Sequence, residues 1–377
     1  MTAEGRTKAA EKYIRAALAL APNNRFVVRS AVRYYLHLEN NDHAHAILLK
    51  TSTLAKDPWI QASEIAVSSV IGRTSKLFKD ADKLLADLKT LPHHSAELAA
   101  AVATVHLSYG ADKKAKALFS KSLTNPNDNV VAQAEWAARK LGLVVTDRAL
   151  RVPLSFEANC SHNYRSLNIE DAIVQGERWA SDESFSPSPR GWLGHFYSIN
   201  DDFERAAAQY EIAMEQAFNK DIPTALNLNF CNIELGHLNA ARSQLEKFWK
   251  EPDRDEHLSH LLANWGALAY ASGDPESGRA IYEKAIEVAR VKKEIHTLSL
   301  IRAFFAKAAV KYGDPSREKI IAEVSKSLEL TSHPGATMVI RRLLDTPTRE
   351  KLENAAKKKI AKAVLNWDPI LNVLNIR

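Results

Sequence analysis

The feature that most restricts this chain is an internal repeat. Four segments, GWLGHFYSINDDFERAAAQYEIAMEQA, LNLNFCNIELGHLNAARSQLEKFWKEP, ANWGALAYASGDPESGRAIYEKAIEVA and AFFAKAAVKYGDPSREKIIAEVSKSLE, can be laid over one another, with a period of about 35 to 40 residues. Each reads as an apolar helix, a short turn at Asn-Asp or Gly, and a second helix. In that second helix, small and large residues follow helical spacing. Ala206, Tyr210 and Ala213 correspond to Ala241, Leu245 and Phe248, to Gly278, Tyr282 and Ala285, and to Glu318, Ala322 and Ser325. Gly236, Gly273 and Gly313 stand five residues before the first position of their triplets. One helical hairpin cannot bury its apolar face alone, whereas stacked hairpins share a continuous core. The pattern therefore predicts an all-α chain, with small residues where helices approach and bulky ones where they interlock.

Leu193-Gly194 followed by Tyr197, and Trp265-Gly266 followed by Ala269, carry a more specific likeness. Together with the triplets they resemble the tetratricopeptide repeat family. Fainter copies lie upstream: Ala115, Phe119 and Ser122 after Tyr109-Gly110, and Ala44, Leu48 and Thr51 after an arginine-bearing helix. Ala10, Ile14 and Ala17, closed by Pro22, read as a lone N-terminal helix. The resemblance implies a right-handed superhelical α-solenoid of tetratricopeptide-like hairpins. The expected organisation is an N-terminal sub-array with a capping helix over 1–142, and an irregular connector over 143–167, where the helical period fades. A C-terminal array over 168–346 and a capping helix with a tail over 347–377 follow. Lys357, Lys358, Lys359 and Lys362 make the last helix polar on one side. That suits a cap facing water or a contact with an acidic or phosphate group.

Candidate binding residues come from side chains that share a helix face. RFVVRSAVRYYLH places Arg25, Arg29, Arg33 and His37 four apart, a basic ridge along one side of a helix. The resemblance implies that Arg29, Arg33 and His37 face a concave groove. The alternative is a basic stripe balanced by neighbouring acids. Ser63, Glu97 and Ala101 hold equivalent places on the next helices, so the Lys/Asn set that some family members use to clamp a C-terminal carboxylate is not met. In the second half, Trp192, Asn227 and Asn264 share one register. Stacked Asn amides can pair with the main chain of an extended peptide, since each both donates and accepts; alternatively each bonds a neighbouring helix. His195, Phe230, His260, Tyr270, Lys307 and Lys311 lie in nearby registers and complete the candidate groove.

Composition narrows the classes further. Of 377 residues, 46% are hydrophobic and 25% charged, ordinary for a chain with a core, and the net charge is +6. The positive balance suits an acidic protein or peptide, and leaves nucleic acid open. The two cysteines, Cys160 and Cys231, form neither a metal motif nor a disulfide framework. No apolar run approaches the roughly 18 residues of a membrane span, and an uninterrupted signal core is absent; a cytoplasmic location is expected. His43 and His45 are two apart and so point to different sides of a helix. Arg190 with His195 and Arg290 with His296 loosely match a spacing used by some helical ribonucleases, but the repeat accounts for both. Phosphate loops and nucleophile elbows are missing. Asp57-Pro58, Asp274-Pro275 and Asp314-Pro315 read as helix starts. The expectation is a scaffold or adaptor without enzymatic activity, cofactor or metal, holding a protein or peptide segment. The alternatives are a nucleic-acid-binding repeat protein and a regulatory subunit of a separate bacterial effector enzyme, such as one in a defence system.

Overall fold

The computed structural model describes residues 7–86, 92–217, 221–331 and 333–345, with 347, 349, 350, 352 and 354. Among these the chain is helix and turn throughout: twenty α-helices, one short 3-10 helix and no strand. No helix among the described residues is long and apolar enough to cross a membrane. The expected lysine-rich helix and the rest of the 347–377 cap lie almost entirely outside the described residues. The chain divides into two compact units. Unit 1 is Met1–Asn163 with Val174–Pro189, and unit 2 is Tyr164–Ile173 with Arg190–Arg377.

Unit 1 is built from α1 (Thr7–Leu20), α2 (Arg25–His37), α3 (Asn41–Lys50), α4 (Pro58–Val70), α5 (Phe78–Ala86), α6 (Pro92–Ser108), α7 (Asp112–Ser122) and α8 (Asp128–Leu141). The short α9 (Asp147–Leu150) and parts of α10 (Phe156–Arg165) and α11 (Ile169–Asp182) complete it. Even-numbered helices touch in series, α2 to α4 to α6 to α8, and each odd helix between them touches both neighbours. Caps set the entries. Asn24 accepts from the Val27 amide, and Asp57 from the Trp59 amide with Pro58 in the first turn. The segment 143–167 is a correction to the sequence reading. It is not an irregular connector: α9 and all of α10 fall within it, and Val145, Ala149, Leu150 and Ala158 belong to the same core cluster as Phe119 and Ala134. A four-residue helix and the break at Pro153 are too short to display a 3.6-residue period.

Unit 2 contains α12 (Pro187–Ile199), most of which lies beyond Pro189, then α13 (Phe203–Gln216), α14 (Ile222–Leu235), α15 (Leu238–Phe248) and a 3-10 turn (Arg254–His257). It continues through α16 (Leu258–Ala271), α17 (Pro275–Val291), α18 (Ile295–Lys311), α19 (Arg317–Thr331) and α20 (Pro334–Leu344). The contact order repeats: α14 to α16 to α18 to α20, with α15, α17 and α19 each touching both flanking helices. Each pair from α12 onward turns on one left-handed residue: Asp201 (φ 63°), Gly236 (φ 90°), Gly273 (φ 84°) and Gly313 (φ 70°). In every case the next amide reaches five residues back, from Asp202 to Tyr197, His237 to Asn232, Asp274 to Ala269 and Asp314 to Ala309. That bond closes the helix end and needs positive φ at the turn. Asp201 is the one non-glycine in the series.

The small–large pattern reappears as contacts. A Cβ on Gly194 would lie 2.6 Å from the Tyr210 ring, and one on Gly266 would lie 2.6 Å from the Tyr282 ring. These two pairs hold the same repeat register. In the intervening copy the equivalent residues are Asn229 and Leu245, both buried: a smaller side chain on the second helix admits a larger one on the first.

Candidate functional site

A cavity of about 460 Å³ opens in unit 1. One wall comes from the even helices: Arg29 and Arg33 on α2, Ala62, Ser63 and Ala66 on α4, Glu97 and Ala101 on α6, and Asn129, Ala132 and Gln133 on α8. The remaining wall is Leu154, Ser155 and Glu157 at the start of α10, with Trp179, Asp182 and Glu183 at the end of α11. The positions that register-matching assigned to one face, Arg29, Arg33, Ser63, Glu97 and Ala101, therefore do line one space. His37 is not in its lining; its ring meets Phe185 at 5.3 Å, and burial lowers its pKa.

The basic ridge is matched by acids. Arg25 binds Asp57 at 2.7 Å, and both Arg25 and Arg29 lie over the Trp59 ring, at 5.6 and 4.9 Å. Arg29 donates to Glu97 at 2.8 Å, and Arg33 reaches Glu183 at 3.4 Å. Asn127 also donates to Glu97, at 2.6 Å. Two arginines thus face five carboxylates in the lining, those of Glu97, Asp128, Glu157, Asp182 and Glu183. The sign is opposite to that expected of a groove for an acidic partner. Glu157 registers the imbalance. Crowding by the cavity walls, then the carboxylates of Glu183 and Asp128, push its pKa up to about 7. Its side chain is nonetheless exposed on the cavity wall.

Sequence reasoning missed Ser155, Glu157, Trp179, Asp182 and Glu183. Ser155 and Glu157 lie in the segment expected to be a connector, Trp179 and Asp182 lie on α11, and Glu183 directly follows it. Ser155 before an acid in the first turn was a visible helix-start signal.

Several of the expected groove residues of unit 2 serve its interior. Asn264 is 5% exposed; its amide donates to the His260 carbonyl at 3.1 Å, and its oxygen accepts from Asn229 at 3.4 Å. It bonds a neighbouring helix through Asn229 rather than stacking with the half-buried Asn227. Tyr270 is 0% exposed and donates to the buried Asp314 at 2.7 Å, so it is a core residue, not a groove aromatic. Lys307 is buried, bonded to Asp201, and lies 4.4 Å from the Phe203 ring. Lys311 binds Glu234 at 2.8 Å. Neither lysine presents a free charge. Phe230 is held between Phe203 and Phe304, at 6.0 and 4.9 Å. His260 is half-buried and its pKa is lowered by burial. Trp192 is 39% exposed at the edge of a cluster with Tyr164, His195 and Phe196. There the Tyr164 hydroxyl accepts from the Gly335 amide at 3.1 Å and meets His195 Nε2 at 2.9 Å. Burial, then His333, lowers the His195 pKa to about 3, which leaves the ring neutral.

Two constellations resemble chemistry without its geometry. In unit 1, His45, Glu64 and Ser68 form a buried serine–histidine–carboxylate set. Ser68 and Glu64 both meet the same ring nitrogen, Nε2, at 3.2 and 3.1 Å, and Ser68 donates to Glu64 at 2.8 Å. A proton relay needs the two partners on opposite ring nitrogens. His43, two residues away, is exposed and packs on Tyr35 at 4.2 Å. Arg190 and His195 also part company: Arg190 donates to Gln209 at 2.9 Å, away from the Tyr164–His195 pair. Among the described residues no group of three or more His, Cys, Asp or Glu side chains is placed to hold a metal ion.

Comparison with protein-family models and with curated proteins finds no match to this chain.

Proposed function

We propose that this chain is a recognition scaffold without enzymatic activity. In this reading it is a right-handed superhelical stack of tetratricopeptide-like hairpins that holds a segment of a partner protein against the even helices of unit 1. The observation that carries the reading is the cavity of about 460 Å³, lined by equivalent positions on four successive helices. Its volume is that of an ordinary ligand site. Ala62, Ser63, Ala66, Ala101 and Ala132 keep that wall low, so an extended chain can approach the helix backbones. Asn129 and Gln133 add amides suited to main-chain contacts. The asparagine register of unit 2 is not part of this proposal, because Asn264 is spent inside the fold. An acid-lined cavity also weighs against a phosphate backbone as the guest.

The test is a random-peptide display selection on the full chain, repeated with Ala66→Trp. Ala66 is exposed on the cavity wall, so the indole fills guest space without entering the core. The expected result is a set of mutually competing peptides whose binding falls at least about tenfold in the variant, with circular dichroism melting unchanged. Failure to enrich any peptide, or equal binding to the variant, would remove the proposal.

A further inference from the structure

The charges of the unit 1 cavity do not close among themselves. Arg29 is taken by Glu97 and Arg33 by Glu183. Asp128, Glu157 and Asp182 remain, and none of them forms an ion pair with a cation among the described residues. A second observation points the same way. Ser155 lines the cavity, is only 3% exposed, and its hydroxyl has no hydrogen-bond partner among the described residues. A buried hydroxyl without a partner is destabilising, a cost that a guest able to donate a hydrogen bond relieves.

We propose that this cavity seats a basic peptide segment, taking a lysine or arginine side chain among Asp128, Glu157 and Asp182 with Ser155 Oγ as an acceptor. The inference rests on the scaffold reading and names its partner class. A bare metal ion does not suit the site, since the carboxylates do not converge on one point. A long cationic side chain does, because its stem needs apolar surface and its head needs acids. Trp179 and the 55% exposed Leu154 supply the first; the unmatched carboxylates supply the second. The mutual repulsion recorded at Glu157 is what such a head would cancel.

The probe is a fluorescently labelled oligo-lysine peptide, titrated against the full chain by anisotropy, with oligo-glutamate and spermine as comparison arms. Oligo-lysine binds in this proposal, oligo-glutamate does not, and added salt weakens the complex. Asp128→Asn combined with Asp182→Asn lowers affinity about tenfold or more, while Glu276→Gln, an exposed acid on α17, leaves it unchanged. Absence of oligo-lysine binding, or equal binding by the double variant, overturns the proposal. So does spermine binding at these carboxylates without oligo-lysine binding, since the occupant is then a free amine. The display selection separates the two failures. Peptides of acidic or apolar consensus that Ala66→Trp excludes would overturn the basic seat and leave the scaffold standing. Selection of nothing that Ala66→Trp excludes would remove the scaffold itself.

Discussion

Glu157 shows how a single residue reports on its surroundings. Its carboxyl, ordinarily near 4.5, titrates near 7 because cavity walls crowd it and Glu183 and Asp128 face it. The folded state therefore holds a proton that the unfolded chain has already released between about pH 4.5 and 7. Stability from this group is fully present below 4.5 and is lost as pH rises through 7. Glu157→Gln should remove that slope and leave the variant more stable than the parent at pH 8. Glu157 is solvent-exposed and therefore screened, so the gain is about 1 kcal/mol rather than the full value of the shift. Thermal melts of both proteins at pH 5 and pH 8 check this; a variant that melts no later than the parent at pH 8 contradicts it. The arginine ridge teaches the complementary lesson. Spacing placed Arg29 and Arg33 on one face, and they do share one wall. Spacing could not reveal that Glu97 and Glu183 would claim their charges. Lys307 is the stronger case: a helix position that reads as a groove cation is a buried charge held by Asp201.

At the scale of elements, the hairpins rest on size matching between paired helices. Gly194 against Tyr210 and Gly266 against Tyr282 leave no room for a methyl group, whereas Asn229 sits where its partner is Leu245. Gly194→Ala should therefore cost about 1–3 kcal/mol by overpacking. Tyr210→Leu alone opens a void and is also destabilising. Combined, they imitate the Asn229–Leu245 copy, so the double variant should be more stable than the sum of the single losses implies. A double-mutant cycle from urea melts measures the coupling; strict additivity would contradict the size-matching account. Much of this was legible in advance, because the small–large register and the turn glycines are local and recur. The exception is Asp201. Asn-Asp was read as a turn, but its side chain also binds Lys307 on α18 and Arg342 on α20. A left-handed non-glycine residue costs roughly 1 kcal/mol. Those contacts hold it there, and local sequence says nothing of them.

For the molecule as a whole, the boundary is where sequence and structure part most clearly. Fading periodicity suggested an edge at residue 142. Unit 1 instead continues through α9 and most of α10, and regains the chain at Val174–Pro189. Val145, Ala149, Leu150 and Ala158 complete the core around α8, and Trp179 is buried with them in the unit. A fragment ending at 142 should thus melt earlier and less cooperatively than one ending at 189. Circular dichroism melts of the two fragments decide the point; equal cooperativity would mean that the later helices add nothing to the unit. The candidate site spans the same boundary, which is why only its even-helix wall could be foreseen. The sequence alone determined the helices outside 143–167, the Asp-Pro starts at Asp57 and Asp274 and the glycine turns at Gly236, Gly273 and Gly313, because each depends on backbone preferences and side-chain spacing within a few residues. Only the tertiary structure decided which charges cancel and which stay unmatched. Arg29 meets Glu97 across 68 residues and Arg33 meets Glu183 across 150. The sign of a cavity is a sum over side chains from distant elements, and a sum of that kind exists only once those elements are packed.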